Sequence, residues 1–136
     1  MARKIFVNLP VKDLEKSKAF FSKLGFTFNP QFTDENAACM IVDTDSFVML
    51  LVEDFFKTFT KKAICDATKS TESIIALSAE SKANVKEIVD KAVKAGGKTY
   101  RQPDDQGWMY GHSFQDLDGH QWEFIYMDES KIPKQA

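Results

Sequence analysis

The sequence predicts an α+β fold made of two βαβββ modules in one chain. Two observations carry that expectation. In each half of the 136 residues, a strand-like alternating run precedes a capped helical stretch and three further strand-like runs. The halves also match in position: Asp43 and Asp45 in IVDTDSFVMLL precede Asp116 and Asp118 in FQDLDGHQWEF by 73 residues, and Pro30 precedes Pro103 by the same interval. Internal repetition of this kind marks architecture rather than composition.

The elements follow in order. IFVNLPV (5–11) alternates, with Ile5, Val7, Leu9 and Val11 on one side and Phe6, Asn8 and Pro10 on the other. Asp13 can cap a helix running through Leu24, whose inward side carries Leu14, Ser17, Phe21 and Leu24, and Gly25 stops it. Phe26–Phe32, Ala37–Asp43 and Phe47–Val52 read as strands. The second module opens with a strand over Ser73–Ser78. Ser81 can cap a helix carrying Val85, Ile88, Val89, Ala92 and Val93 at helical spacing, and Gly96 ends it. Strands over Lys98–Arg101, Tyr110–Gln115 and His120–Met127 complete the set. The whole chain, 1–136, reads as one domain: module 1 over about 4–53, a connector over 54–72, module 2 over about 73–128 and a flexible tail over 129–136. Phe55, Phe56 and Phe59 give the connector a short helix packed on the body of the protein.

Composition narrows the function classes. A hydrophobic share of 43% and a charged share of 28% suit a soluble globular domain. A formal net charge of −2 argues against a nucleic-acid surface, which needs a basic excess. The first residues lack the apolar run of a signal peptide and no stretch is long enough to span a membrane, so a cytoplasmic protein with no membrane partner is expected. Cys39 and Cys65 form no CxxC pattern and fit a reduced compartment. Twelve phenylalanines point to a core or cavity with aromatic walls.

Asp116, Asp118, His120 and Glu123 lie close enough in QDLDGHQWEFIY to suggest a metal site. Strand geometry argues otherwise. His120 and Glu123 are an odd number of positions apart, so a regular strand turns them to opposite sides. Aspartates before a glycine are turn formers, and the run lacks the glycine and glutamate positions of an EF-hand loop. DLDGH is therefore expected to be a turn.

The segments LPVKDLEKSKAFFSKLGF (9–26) and DLDGHQWEF (116–124) together resemble the vicinal oxygen chelate superfamily. Its members include lactoylglutathione lyase (glyoxalase), extradiol dioxygenases, and fosfomycin and bleomycin resistance proteins. The resemblance covers residues 4 to 128 and implies that the strands curl into a mixed-sheet cup, with any site on the concave side, and that the protein is a homodimer. Metal-dependent members draw ligands from the first and last strands of each module. Those positions fall here on Phe6, Leu50, Ser73 and Glu123, and a one-residue slip brings in Asn8, Ile75 or Glu72. Only Glu123 among the four suits a divalent ion, so no metal cofactor is expected. A divalent metal remains the alternative.

Glu123 is the candidate base or substrate anchor, expected on an apolar wall with Phe6, Leu50 and Val52 and with Ser73 nearby. The structural alternative pairs it with Arg101, Gln121 or Asn8. On the strand before the turn, an odd number of loop residues brings Ser113 to the Glu123 side and an even number brings His112; the fosfomycin resistance branch favours Ser113. Trp108 and Tyr110 are expected near the cavity mouth, and Asn8, Ile75 and Gln121 complete the candidate ligand-binding set. Two functions stay open: binding of a small organic molecule without a catalytic metal, and a metal-dependent lyase or transferase of the lactoylglutathione lyase type. A purely structural dimerisation module is the third.

Overall fold

The computed structural model describes residues 3–133. The first module contains β1 (Ile5–Val11), α1 (Leu14–Lys23), β2 (Thr27–Phe28), β3 (Ala37–Asp43) and β4 (Ser46–Val52), with the short α2 (Glu53–Phe56) after it. The second contains β5 (Ile74–Ser78), α3 (Lys82–Lys94), β6 (Asp104–Asp105), β7 (Met109–Gln115) and β8 (Gln121–Met127). The two four-stranded mixed sheets have the orders β1-β4-β3-β2 and β5-β8-β7-β6. In each, the first strand runs parallel to the last and the hairpin strands run antiparallel. The chain divides into two compact units, up to Cys65 and from Asp66 onward. No helix among the described residues is long and apolar enough to cross a membrane.

The two long helices, α1 and α3, start where their caps dictate. The Asp13 carboxylate accepts from Lys16 N at 3.1 Å, and the Ser81 hydroxyl accepts from Asn84 N at 2.9 Å. Gly25 and Gly96 end them at φ 103° and 111°. The inward residues of α1 (Leu14, Ser17, Phe20, Phe21) and of α3 (Val85, Val89, Ala92) are all buried. A full burial of a large apolar side chain contributes about 1.5–3 kcal/mol, so these stripes, rather than helix propensity, hold the helices on their sheets. Val93, expected to face inward, is 47% exposed.

Several expected elements are shorter or displaced. The strand expected over Phe26–Phe32 stops at Phe28, because Asn29 caps a 3₁₀ turn (Pro30–Phe32) through a 3.0 Å bond from Gln31 N. The strand expected over Lys98–Arg101 is reduced to one bridge between Lys98 and Gln115, and the edge strand forms beyond Pro103, which has no N–H to give. The connector holds α2 and a 3₁₀ turn (Lys57–Phe59), with Phe55 and Phe59 edge to face at 5.1 Å. Phe55 and Phe56 are half-buried, whereas Phe59 is 68% exposed. In the tail, Asp128 caps a turn over Glu129–Lys131, and residues 134–136 lie outside the described residues.

The repeat is real, but its strand interval is not 73. Asp13 and Ser81 are equivalent caps, and the same interval of 68 maps Ser17, Phe21 and Leu24 onto Val85, Val89 and Ala92, all buried or helix-facing. Ladder registers fix the rest: Ala37↔Leu51, Ala38↔Leu50 and Cys39↔Met49 in the first hairpin correspond to Gly111↔Ile125, His112↔Phe124 and Ser113↔Glu123 in the second, an interval of 74. The aspartate match at 73 is one residue out of step with the strands. Val42 is an extra residue where the first hairpin shifts register, so Asp43 closes on Ser46, whereas the second closes on Gln115 and Gln121. A one-residue slip exchanges the two faces of a strand.

Gly119 is required twice over. Its φ is 91°, and a Cβ there would lie 2.7 Å from the Ala67 carbonyl oxygen, where the chain entering the second module passes the turn. Gly25, at φ 103°, has nothing within 4 Å of such a Cβ. Urea denaturation should therefore show Gly119→Ala losing more than about 2 kcal/mol and Gly25→Ala only about 1. Equal losses would mean that the approach to Ala67 does not matter.

Candidate functional site

Packing against α3 decides the faces of the second sheet. Lys82 and Lys86 extend from α3 over the Tyr110 ring at 5.0 and 5.6 Å, so Tyr110 faces that helix. Alternation places His112 and Phe114 on the same side, and their ladder partners Phe124 and Trp122 with them. Trp122 and Phe114 are fully buried there, and the Phe114 and Phe124 rings stack at 6.0 Å. The other side carries Ser113, Glu123 and Ala76 in one row, because Ser113 pairs with Glu123 and Ala76 with Glu123. Gln115, Gln121 and Ile74 form the next row, and Gly111, Ile125 and Ser78 the row beyond.

The chemistry of this face is that of one carboxylate among neutral groups. Glu123 and Gln121 are half-buried and Ser113 is 2% exposed. Among the described residues, no hydrogen bond or ion pair joins the Glu123 carboxylate to a side chain, so nothing there supports the structural alternative of a pairing with Arg101, Gln121 or Asn8. His112 instead brings Nε2 to 3.3 Å from the Arg101 carbonyl oxygen. The turn between β7 and β8 has five residues, 116–120, an odd number; that is why Ser113 rather than His112 stands beside Glu123.

The remaining sequence candidates separate by face. In the first sheet Phe6 pairs with Phe47, Asn8 with Met49, and Leu9 with Leu50. Leu50 and Val52 therefore share a face with Leu9 and Val11, opposite Phe6 and Asn8. The expectation that Phe6, Leu50 and Val52 form one wall is corrected: the 73-residue interval misassigned the parity of β4. Met49, not Leu50, is the counterpart of Glu123, and Asn8 the counterpart of Ala76. Ile75 pairs with Trp122 and, like Tyr110 and His112, belongs to the helix-packed face. Ser73 precedes β5, is exposed, and accepts from Thr71 Oγ1 at 2.8 Å. Trp108 is half-buried before β7, where its carbonyl accepts from Asp128 N at 2.7 Å. Gln115, Gly111 and Ile74 were missed, although the odd-loop rule that selects Ser113 also selects Gly111 and Gln115.

No group of three or more histidine, cysteine, aspartate or glutamate side chains converges to hold a metal ion among the described residues. The row containing Glu123 supplies only a serine hydroxyl and an alanine beside it, a donor set that does not fit a divalent cation. The DLDGH run has another use. Asp116 is 7% exposed; its Oδ1 accepts from Asp118 N at 2.9 Å and His120 N at 3.0 Å, and its Oδ2 accepts from Trp122 Nε1 at 2.9 Å. One carboxylate thus closes the turn and anchors the largest core side chain. Burial pushes its carboxyl above the ordinary range, while the charge of His120 and the Trp122 indole bond pull it back.

Comparison with known proteins agrees with this architecture. Residues 3–42 match the family model described as bleomycin resistance protein-like N-terminal. Curated protein sequences gave no match. Among solved structures, a hypothetical protein from S. aureus is 31% identical, with 93% of this chain and 95% of that chain covered and a TM-score of 0.77. A glyoxalase/bleomycin resistance protein/dioxygenase family enzyme from Burkholderia phytofirmans PsJN is 14% identical, covering 93% and 99%, with a TM-score of 0.76. A fosfomycin resistance protein from Listeria monocytogenes is 19% identical, covering 93% of each chain, with a TM-score of 0.66.

Asp116→Asn should destabilise the protein although it removes a buried charge. All three groups around the carboxylate are N–H donors, so the amide NH₂ must face a donor at one end. The expected loss is about 1–3 kcal/mol by denaturant titration. A carboxyl raised in the folded state favours folding most below its unfolded value and loses that contribution as pH rises through its folded value. The penalty of Asp116→Asn should therefore grow on acidification from neutral pH, and a penalty that shrinks would contradict the direction of the shift.

Proposed function

This chain belongs to the glyoxalase/bleomycin resistance/dioxygenase superfamily, and from that premise we propose that it binds a small organic molecule on the α3-free face of its second sheet, without a catalytic metal. The observation that carries this reading is the placement of Glu123: a half-buried carboxylate without a described partner, beside the Ser113 hydroxyl. Ile74 and Ile125 add apolar contact on the same face. Burial of such surface contributes about 25 cal/mol per Å², with Glu123 fixing orientation. We further propose a cytoplasmic homodimer that binds neither nucleic acid nor membrane. Ile5 and Phe6 on the edge strand β1 are 58% and 48% exposed, and Phe59 is 68% exposed, which suits a self-association surface.

Gly111 allows a direct test, because a Cβ there meets only the Ile125 side chain and the Phe124 carbonyl oxygen, both at an ordinary 3.7 Å. Gly111→Leu should fold and should abolish the shifts of Ser113 and Glu123 amide signals caused by any fragment that binds the wild-type protein; unchanged shifts would remove the site from this face. Elemental analysis of the purified protein should find no stoichiometric zinc, nickel, manganese or iron, and one tightly held ion per chain would revive the metal-dependent lyase reading. Sedimentation should give a species of twice the chain mass of 15.5 kDa, and a monomer at micromolar concentration would count against the dimer.

A further inference from the structure

Resting on the reading that this face is a ligand site, we propose that the ligand is an organic cation: a protonated amine or guanidinium on a compact apolar body, held between Glu123 and Ser113. Two independent observations point to it. First, Glu123 is half-buried, yet none of the described ion pairs reaches it, among them Lys4–Asp45, Lys18–Glu15, Lys82–Asp105, Lys91–Glu87 and Lys131–Asp128. A carboxylate partly removed from water is stabilised by an opposite charge that also donates hydrogen bonds. Second, the Ser113 hydroxyl is on a residue only 2% exposed, and no hydrogen bond joins it to a described residue. It stands directly across the ladder from Glu123.

An ammonium or guanidinium has several donors and no acceptor, so it suits two oxygens that can both accept. An anion would meet the charge of Glu123, and a neutral alcohol would lose the charge assistance that makes such bonds strong. The other neighbour of Glu123 in its row is Ala76, small and exposed, which leaves room on that side of the carboxylate. In the adjacent rows Ile125 lies two residues along the same strand and Ile74 diagonally on β5, where they can cover the apolar body.

The test is an NMR titration of the full chain with phenethylamine, phenethyl alcohol and phenylacetate, three probes that share an aromatic body and differ in charge. The amine should shift the Ser113 and Glu123 amides saturably, about tenfold or more tightly than the alcohol, and the acid should not bind. Glu123→Gln should weaken the amine about tenfold or more and leave the alcohol unchanged, and Ser113→Ala should weaken the amine several-fold. In the wild-type protein, added salt should weaken the amine and not the alcohol, a readout that does not depend on any variant folding. Equal binding of amine and alcohol, or an amine affinity indifferent to Glu123→Gln and to salt, would overturn the cation proposal and leave the ligand face standing. If none of the three probes shifts these residues, both the cation proposal and the ligand face fall.

Discussion

Each strand offers its side chains to two faces in turn, and each sheet here commits one of those faces to its helix. The rest of the structure depends on that division. In the second sheet the committed side holds Trp122, Phe124, Phe114 and Tyr110 against α3. Whatever alternates with them is placed, without further choice, on the other side. Glu123 reaches that side because Trp122 and Phe124 cannot leave the core: their burial outweighs any preference of a single carboxylate.

Parity passes from strand to strand through the hairpin. The five residues from Asp116 to His120 bring Ser113 opposite Glu123, and a loop one residue shorter would exchange Ser113 for His112. The loop length is in turn held by Asp116, whose two oxygens gather two backbone N–H groups and the Trp122 indole. The same carboxylate closes the turn and locates the core tryptophan, so the register of the candidate site and the packing of the core have one origin. Gly119 supplies the left-handed backbone that the closure needs and the space that Ala67 occupies.

The two modules share this plan but not its chemical content. The row that reads Ala76, Glu123 and Ser113 in the second sheet reads Asn8, Met49 and Cys39 in the first. No imidazole or carboxylate occupies the first row. The modules share the ladder, the caps and the helix stripes, which are constrained by packing, and differ on the face without a helix.

Much of the fold could be read from local chemistry. Asp13 and Ser81 announced their helices, Gly25 and Gly96 their ends, and alternation the long strands, because caps and periodicity act over a few residues. The turn nature of DLDGH and the side on which Glu123 falls were legible for the same reason. What the chain alone could not decide was the correspondence between modules: the aspartate repeat at 73 residues is a resemblance between turns, whereas the ladders repeat at 74. An extra residue at Val42 absorbs the difference, and only paired strands reveal it. The interval of 73 groups Leu50 and Val52 with Phe6, whereas Ile75, which a one-residue slip brings in, and Tyr110, expected near the cavity mouth, occupy rows that packing against a helix claims. Sequence determines which side chains alternate; the neighbouring strand and helix determine which alternate is buried, because facing is a property of the pair and not of the strand.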